Sequence, residues 1–192
     1  IIFFVFLNFE NNFSELFLSL TSSISNVGFS LNNSPNNLSF VFLILVIIGG
    51  SFFSTSSGIR FLKIYSLFKY SINEILSYSR PKNIYINKHL FSKDSFKLDE
   101  IYKYFLSVIV FIISLLILTF LLTLSGIDFE SSFKLSILTI MNTVNSSMFG
   151  LADFSFYDLH FITKYYLIFF MIIGRLELLT LLIICKKFLF KN

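Results

Sequence analysis

The stretch Tyr102–Leu124 runs for 23 residues with one charge, Lys103, at its start. An α-helix rises about 1.5 Å per residue, so a run of this length crosses a hydrocarbon layer about 30 Å thick. Lipid offers the backbone no hydrogen bonds, so a chain that enters it must satisfy its own N–H and C=O groups, as a helix does within a single segment. The sequence therefore predicts an all-α integral membrane protein.

Composition supports that reading. Of the 192 residues 55% are hydrophobic and 14% charged, where a soluble domain carries about 25% charged residues. So much apolar surface exceeds what a sphere of this size can hide, and lipid or partner chains must cover it. The single cysteine, Cys185, excludes an internal disulfide framework and a cysteine-cluster zinc site. His89 and His160 are too few for a histidine metal centre and offer no serine triad, which makes a membrane hydrolase a weak reading. The net charge of +4 lies in loops flanking apolar runs. That is the pattern of membrane topology, and nucleic acid is not expected as a partner.

Other segments fall into an order. A second span runs over 161–185 and ends in Lys186, Lys187 and Lys191. A third, 38–70, is broken in the middle: the apolar run to Ile48 meets Gly49, Gly50 and the serine-rich SFFSTSSG before resuming at Ile59. Two amphipathic segments, 12–24 and 128–141, are too short to cross and read as re-entrant helices. Shifted by 116 residues, the chain pairs Phe13 with Phe129, Phe17 with Phe133, Ile24 with Ile140, Asn26 with Asn142 and Ser30 with Ser146, without a gap. The sequence thus reads as two copies of one unit made of helix, short re-entrant helix, polar stretch and helix. The first copy is 1–70, the second 101–192, and the polar segment 71–100 is a linker. The chain begins without Met on the apolar run Ile1–Leu7, which reads as the end of a membrane helix in a longer protein.

Twelve of the 15 basic residues lie on the linker and C-terminal side. By the positive-inside rule that side is cytoplasmic. The opposite loops carry Asp128, Glu130, Asp153 and Asp158, an acidic mouth that concentrates cations.

Three constellations bear on chemistry. TSSISNVGFS, Thr21–Ser30, places Gly28 among polar residues just after a short helix. It reads either as an ordinary Ser/Asn/Gly turn or as a strip of carbonyls that replaces the water around a cation, with the negative helix pole aimed at the ion. The break at 49–58 is either a gate or a kink. Arg175 and Glu177, inside an apolar helix, lie on different faces and cannot pair with each other. Each marks an aqueous path or an ion pair between helices.

Together these stretches resemble the Trk/Ktr/HKT superfamily of potassium transporters, most closely the third and fourth repeats of the Trk-type membrane subunit. SNVGFS is similar to the third filter, IIGGSFFSTSSGIRFLKI to the intramembrane gate loop, and GRLELLTLL to the end of the fourth repeat. The resemblance implies helix, pore helix, helix units around a pseudo-fourfold ion pore in the bacterial inner membrane. It implies filter residues Ser25, Asn26, Val27, Gly28 and Phe29 in one unit, and Asn142, Thr143, Val144, Asn145 and Ser146 in the next. It further implies a gate of Gly49, Gly50, Ser51, Ser54, Thr55, Ser56, Ser57 and Gly58, and a latch of Arg175 with Glu177. K⁺ is the transported ion and no covalent cofactor or catalytic residue is implied. The implied partners are a second copy in a homodimer and a cytosolic nucleotide-binding regulatory subunit.

Two departures stand out. Phe52, Phe53, Ser56 and Ser57 fill gate-loop positions that are commonly small or glycine in the family. At the fourth filter, where the family commonly reads N-V-G-P-G, either Val144 or Asn145 stands at the glycine position. A degenerate, non-transporting chain that only packs with other subunits is the alternative reading these departures support.

Overall fold

The computed structural model of the chain describes residues 13–30, 38–49, 61–78, 98–145, 147–151, 154–157, 159–175 and 187. Among them are six α-helices: α1 (Phe13–Ile24), α2 (Ser39–Ile48), α3 (Phe61–Ser77), α4 (Leu98–Leu124), α5 (Phe129–Met141) and α6 (Phe161–Arg175). A single 3₁₀ turn, Ser147–Phe149, lies between α5 and α6. No strand occurs among the described residues.

α4 covers the long apolar run the sequence singles out and is long and apolar enough to cross a membrane; it starts at Leu98 rather than Tyr102. Glu100 falls in its first turn, where a negative charge favours the helix N-terminus. One side of α4 is buried, with Leu118 and Leu122 fully enclosed beside Phe111 and Leu115. The other side exposes Ile112, Ile113, Leu116, Ile117, Phe120 and Leu124. An apolar stripe at that i, i+3/i+4 spacing is costly in water and matches a lipid-facing surface. Ser114 and Thr119 sit on the buried side and donate back to the carbonyls of Phe111 and Leu115, at 2.7 and 2.8 Å, so neither hydroxyl is left unpaired.

The centre of the fold is α5. At 13 residues it spans only about 20 Å, too short to cross, yet Leu135–Met141 are all buried. α4, α6 and α2 surround it, and the 3₁₀ turn buries Met148 and Phe149 beside α2. Small hydroxyl residues permit this close packing: Ser132 and Ser136 are fully buried, and Ser136 donates to the Ser132 carbonyl at 2.7 Å. α1 packs on α2, and α3 on α4.

The linker expectation is corrected at both ends. Residues 71–77 continue α3, because Ile72, Ile75 and Leu76 sustain the helical spacing through the polar Asn73 and Glu74. Leu98 to Glu100 already belong to α4. Residues 79–97 and the first-helix remnant 1–12 lie outside the described residues, as does the continuation of the last helix over 176–185.

Candidate functional site

α1 and α5 end alike. Each stops at an asparagine in the left-handed region, Asn26 at φ 58° and Asn142 at φ 55°. The Val27 N–H donates to Ser22 O at 3.0 Å and the Asn26 N–H to Ser23 O at 3.2 Å. At α5 the Thr143 N–H donates to Leu138 O at 2.9 Å and the Asn142 N–H to Thr139 O at 3.1 Å. These are two Schellman closures, and asparagine is a residue that tolerates the left-handed turn they need. All eight positions correspond under the 116-residue shift. So do Ser23 and Thr139, buried hydroxyls that donate to the carbonyls four residues earlier, Ser19 and Leu135.

The two polar stretches that follow meet. The Val144 N–H donates to Val27 O at 3.2 Å. Gly28 has φ +82° and lies flat against the Val144 peptide: a Cβ at this position would overlap Val144 O, and would sit 2.7 Å from Thr143 Cγ2. Ser22 braces the first stretch twice, its Oγ accepting from the Phe29 N–H at 2.7 Å while its carbonyl holds Val27. The stretches that follow the C-terminal ends of α1 and α5, each end carrying the partial negative charge of a helix pole, are therefore joined by one hydrogen bond. That arrangement favours a cation.

Val144 does not copy Gly28. The non-glycine residues at positive φ among the described residues are Asn26 and Asn142, so the backbone at Val144 avoids the strained region that a β-branched residue resists. Its side chain is exposed and its peptide serves as the surface against which Gly28 packs. Beside it, Thr143 Oγ1 and Asn145 Oδ1 are buried and have no hydrogen-bond partner among the described residues. Both line a cavity of about 500 Å³ with Thr139 of α5 and Leu167, Ile168 and Met171 of α6. Thr143→Val tests the hydroxyl. A buried orphan replaced by an isosteric methyl leaves stability unchanged or raises it by about 1 kcal/mol, whereas an ion ligand shows as weaker K⁺ protection against thermal unfolding.

At the N-terminal end of α5, Lys134 pairs with Glu130 at 2.5 Å, four residues apart. The ammonium donates to the Glu130 carboxylate and holds its pKa below the ordinary carboxylate value.

Of the residues the sequence singles out, Val27 and Gly28 are brought against Thr143 and Val144, while Ser25, Asn26 and Phe29 flank the first pair and Asn142 and Asn145 the second. Gly49 closes α2, its N–H donating to Leu45 O at 2.6 Å. Arg175 is exposed in the last turn of α6. Ser146, Gly50, Ser51, Ser54, Thr55, Ser56, Ser57, Gly58 and Glu177 lie outside the described residues. Sequence reading missed Ser22 and Gly174. Gly174 packs against α5 so closely that a Cβ there would overlap Ile140 O. A lone glycine inside an apolar helix is the available signal for such an approach.

The fold is all-helical among the described residues. It is similar to the crystal structure of the potassium transporter TrkH from Vibrio parahaemolyticus, with a TM-score of 0.76 and 24% identity over 88% of this chain and 36% of that one. The family model TrkH, described as cation transport protein, matches residues 7–190, and the chain belongs to that family. It is also 28% identical over 179 residues to the Trk system potassium uptake protein TrkH of Escherichia coli strain K12. The same protein of Salmonella typhimurium matches to the same degree. The chain spans about a third of the length of these relatives, 35% in each case.

Proposed function

We propose that this chain forms part of a Trk-type potassium uptake protein, carrying K⁺ inward down its electrochemical gradient without covalent chemistry. Its two units act as the third and fourth repeats of a pseudo-fourfold pore in the bacterial inner membrane, with α1 and α5 as pore helices. The linker and C-terminus face the cytoplasm. Residues 25–29 and 142–146 line the ion path, 49–58 gate it, and Arg175 with Glu177 latches the gate. The working assembly is a homodimer with a cytosolic nucleotide-binding regulatory subunit.

The observation that carries this reading is the meeting of Gly28 with Val144 at the ends of two identically closed short helices. The tight approach aligns two carbonyl-bearing stretches side by side, and backbone carbonyls are what replace the hydration shell of K⁺. The outward apolar stripe of α4 supports the membrane setting.

A second reading is favoured by one contact: the Val27 carbonyl already accepts the Val144 N–H, as it would in a chain that only packs with other subunits. Reconstituting the complete protein in vesicles separates the two. Transport predicts K⁺-gradient-driven flux above empty vesicles, and packing alone predicts none. Val144→Gly in the same assay is expected to change the K⁺ to Na⁺ permeability ratio severalfold. Because Val144 is exposed, the change should cost no more than about 1 kcal/mol of stability.

A further inference from the structure

The 3₁₀ turn Ser147–Phe149 follows the polar stretch of the second unit, yet it packs against the second helix of the first, α2. Met148 Sδ lies 4.0 Å from the Ser23 Oγ of α1. Gly150 reaches the start of α2, where a Cβ on it would sit 3.6 Å from Ser39 Cβ. Met148 and Phe149 are fully buried and belong to one apolar cluster with Phe42, Leu43 and Val46 of α2. Where α1 meets α2, the first unit is thus covered by a turn from the second.

The corresponding surface of the second unit is open among the described residues. Gly49 and Gly174 fix the comparison: a Cβ on Gly49 would sit 2.7 Å from Ile24 O, and one on Gly174 would overlap Ile140 O, the two isoleucines that the 116-residue shift pairs. Three and six residues before Gly49 stand Val46 and Leu43, 0% and 3% exposed. At the same places before Gly174 stand Met171 and Ile168, 43% and 54% exposed. Both line the cavity of about 500 Å³ between α5 and α6, together with Thr139, the counterpart of Ser23, and Lys164, the counterpart of Ser39.

We infer that the cavity between α5 and α6 is the socket for the turn after the ion-path stretch of a further unit, carried by the complete protein beyond these 192 residues. A contact in which one unit gives its turn and the next receives it is head-to-tail, and repeating it leads around a ring. The chain spans 35% of the length of its curated relatives, which leaves room for more units of this kind. The occupant presents what Met148, Phe149 and Gly150 present to the first unit: two bulky apolar side chains for Ile168 and Met171, then a residue small enough to pass Lys164. A lipid tail suits this site poorly, because Thr139, Thr143 and Lys164 line it and hydrocarbon offers polar groups nothing. The inference rests on the reading of the two units as part of a four-unit pore.

The test uses the complete protein expressed with photo-methionine, whose diazirine is close in size to the thioether it replaces. Illumination joins each such side chain to whatever lies beside it, and mass spectrometry identifies the joined peptides. Met148 is the internal standard and is expected to join α1 or α2. Met171 is expected to join, within the same polypeptide, the turn after the polar stretch of a further unit, and that product should be lost in Met171→Leu. A Met171 product with a second copy, with lipid or with any other part of the polypeptide overturns the socket, as does a Met171 that joins nothing where Met148 does. K⁺ flux by the unlabelled protein is measured separately: absent flux defeats the transport reading, while the crosslink map still decides the socket.

Discussion

Replacing Gly28 by alanine is expected to lower stability by about 2–5 kcal/mol and to abolish K⁺ flux. Two costs add. A side chain at φ +82° costs about 1–2 kcal/mol, and a Cβ driven into the Val144 peptide adds about 1–3 kcal/mol of overpacking. The comparison is Gly126→Ala: Gly126 has φ +89°, and a Cβ there would meet nothing within 4 Å, so it should show the conformational cost alone. Thermal unfolding of both variants in detergent separates the terms. Equal losses would show that the Gly28–Val144 approach carries no energy.

Gly174→Ala carries the second large effect, and here two terms oppose. Alanine gains about 1 kcal/mol of helix propensity over glycine. Against that, the new Cβ meets a backbone carbonyl, Ile140 O, at the C-terminal end of a helix whose last seven residues are all buried. Backbone in that position cannot step aside as a flexible side chain would, and overpacking of about 1–3 kcal/mol or more outweighs the gain. The variant should unfold at lower temperature, and K⁺ flux should fall because the α5 terminus is displaced. A variant with raised thermal stability and unchanged flux would show that α5 and α6 separate without consequence.

Much of this architecture is legible in the sequence because lipid leaves few options. Tyr102–Leu124 has one solution in a bilayer, and the observed helix differs only by the turn gained at Leu98. The short helices are readable from length, and the pairing of Asn26 with Asn142 by the 116-residue shift survives as matched backbone hydrogen bonds. Gly28 is readable as a glycine needing unusual angles. What escapes is everything that depends on distance between segments. No periodicity reveals that Gly28 rests on Val144, that Ser22 serves three backbone N–H groups through its carbonyl and hydroxyl, or that Gly174 touches Ile140. The helical run through 71–77 escapes for a different reason: Asn73 and Glu74 look like a linker until Ile72, Ile75 and Leu76 are counted on one face.

The most direct test of the account is to soak crystals of the complete protein in Tl⁺, a K⁺ mimic with strong anomalous scattering, and to map its position. The account predicts an anomalous peak within coordination distance of the Val27–Gly28 and Thr143–Asn145 carbonyls, weakened by K⁺ competition. Tl⁺ bound elsewhere in the protein, with none between those two stretches, would contradict it.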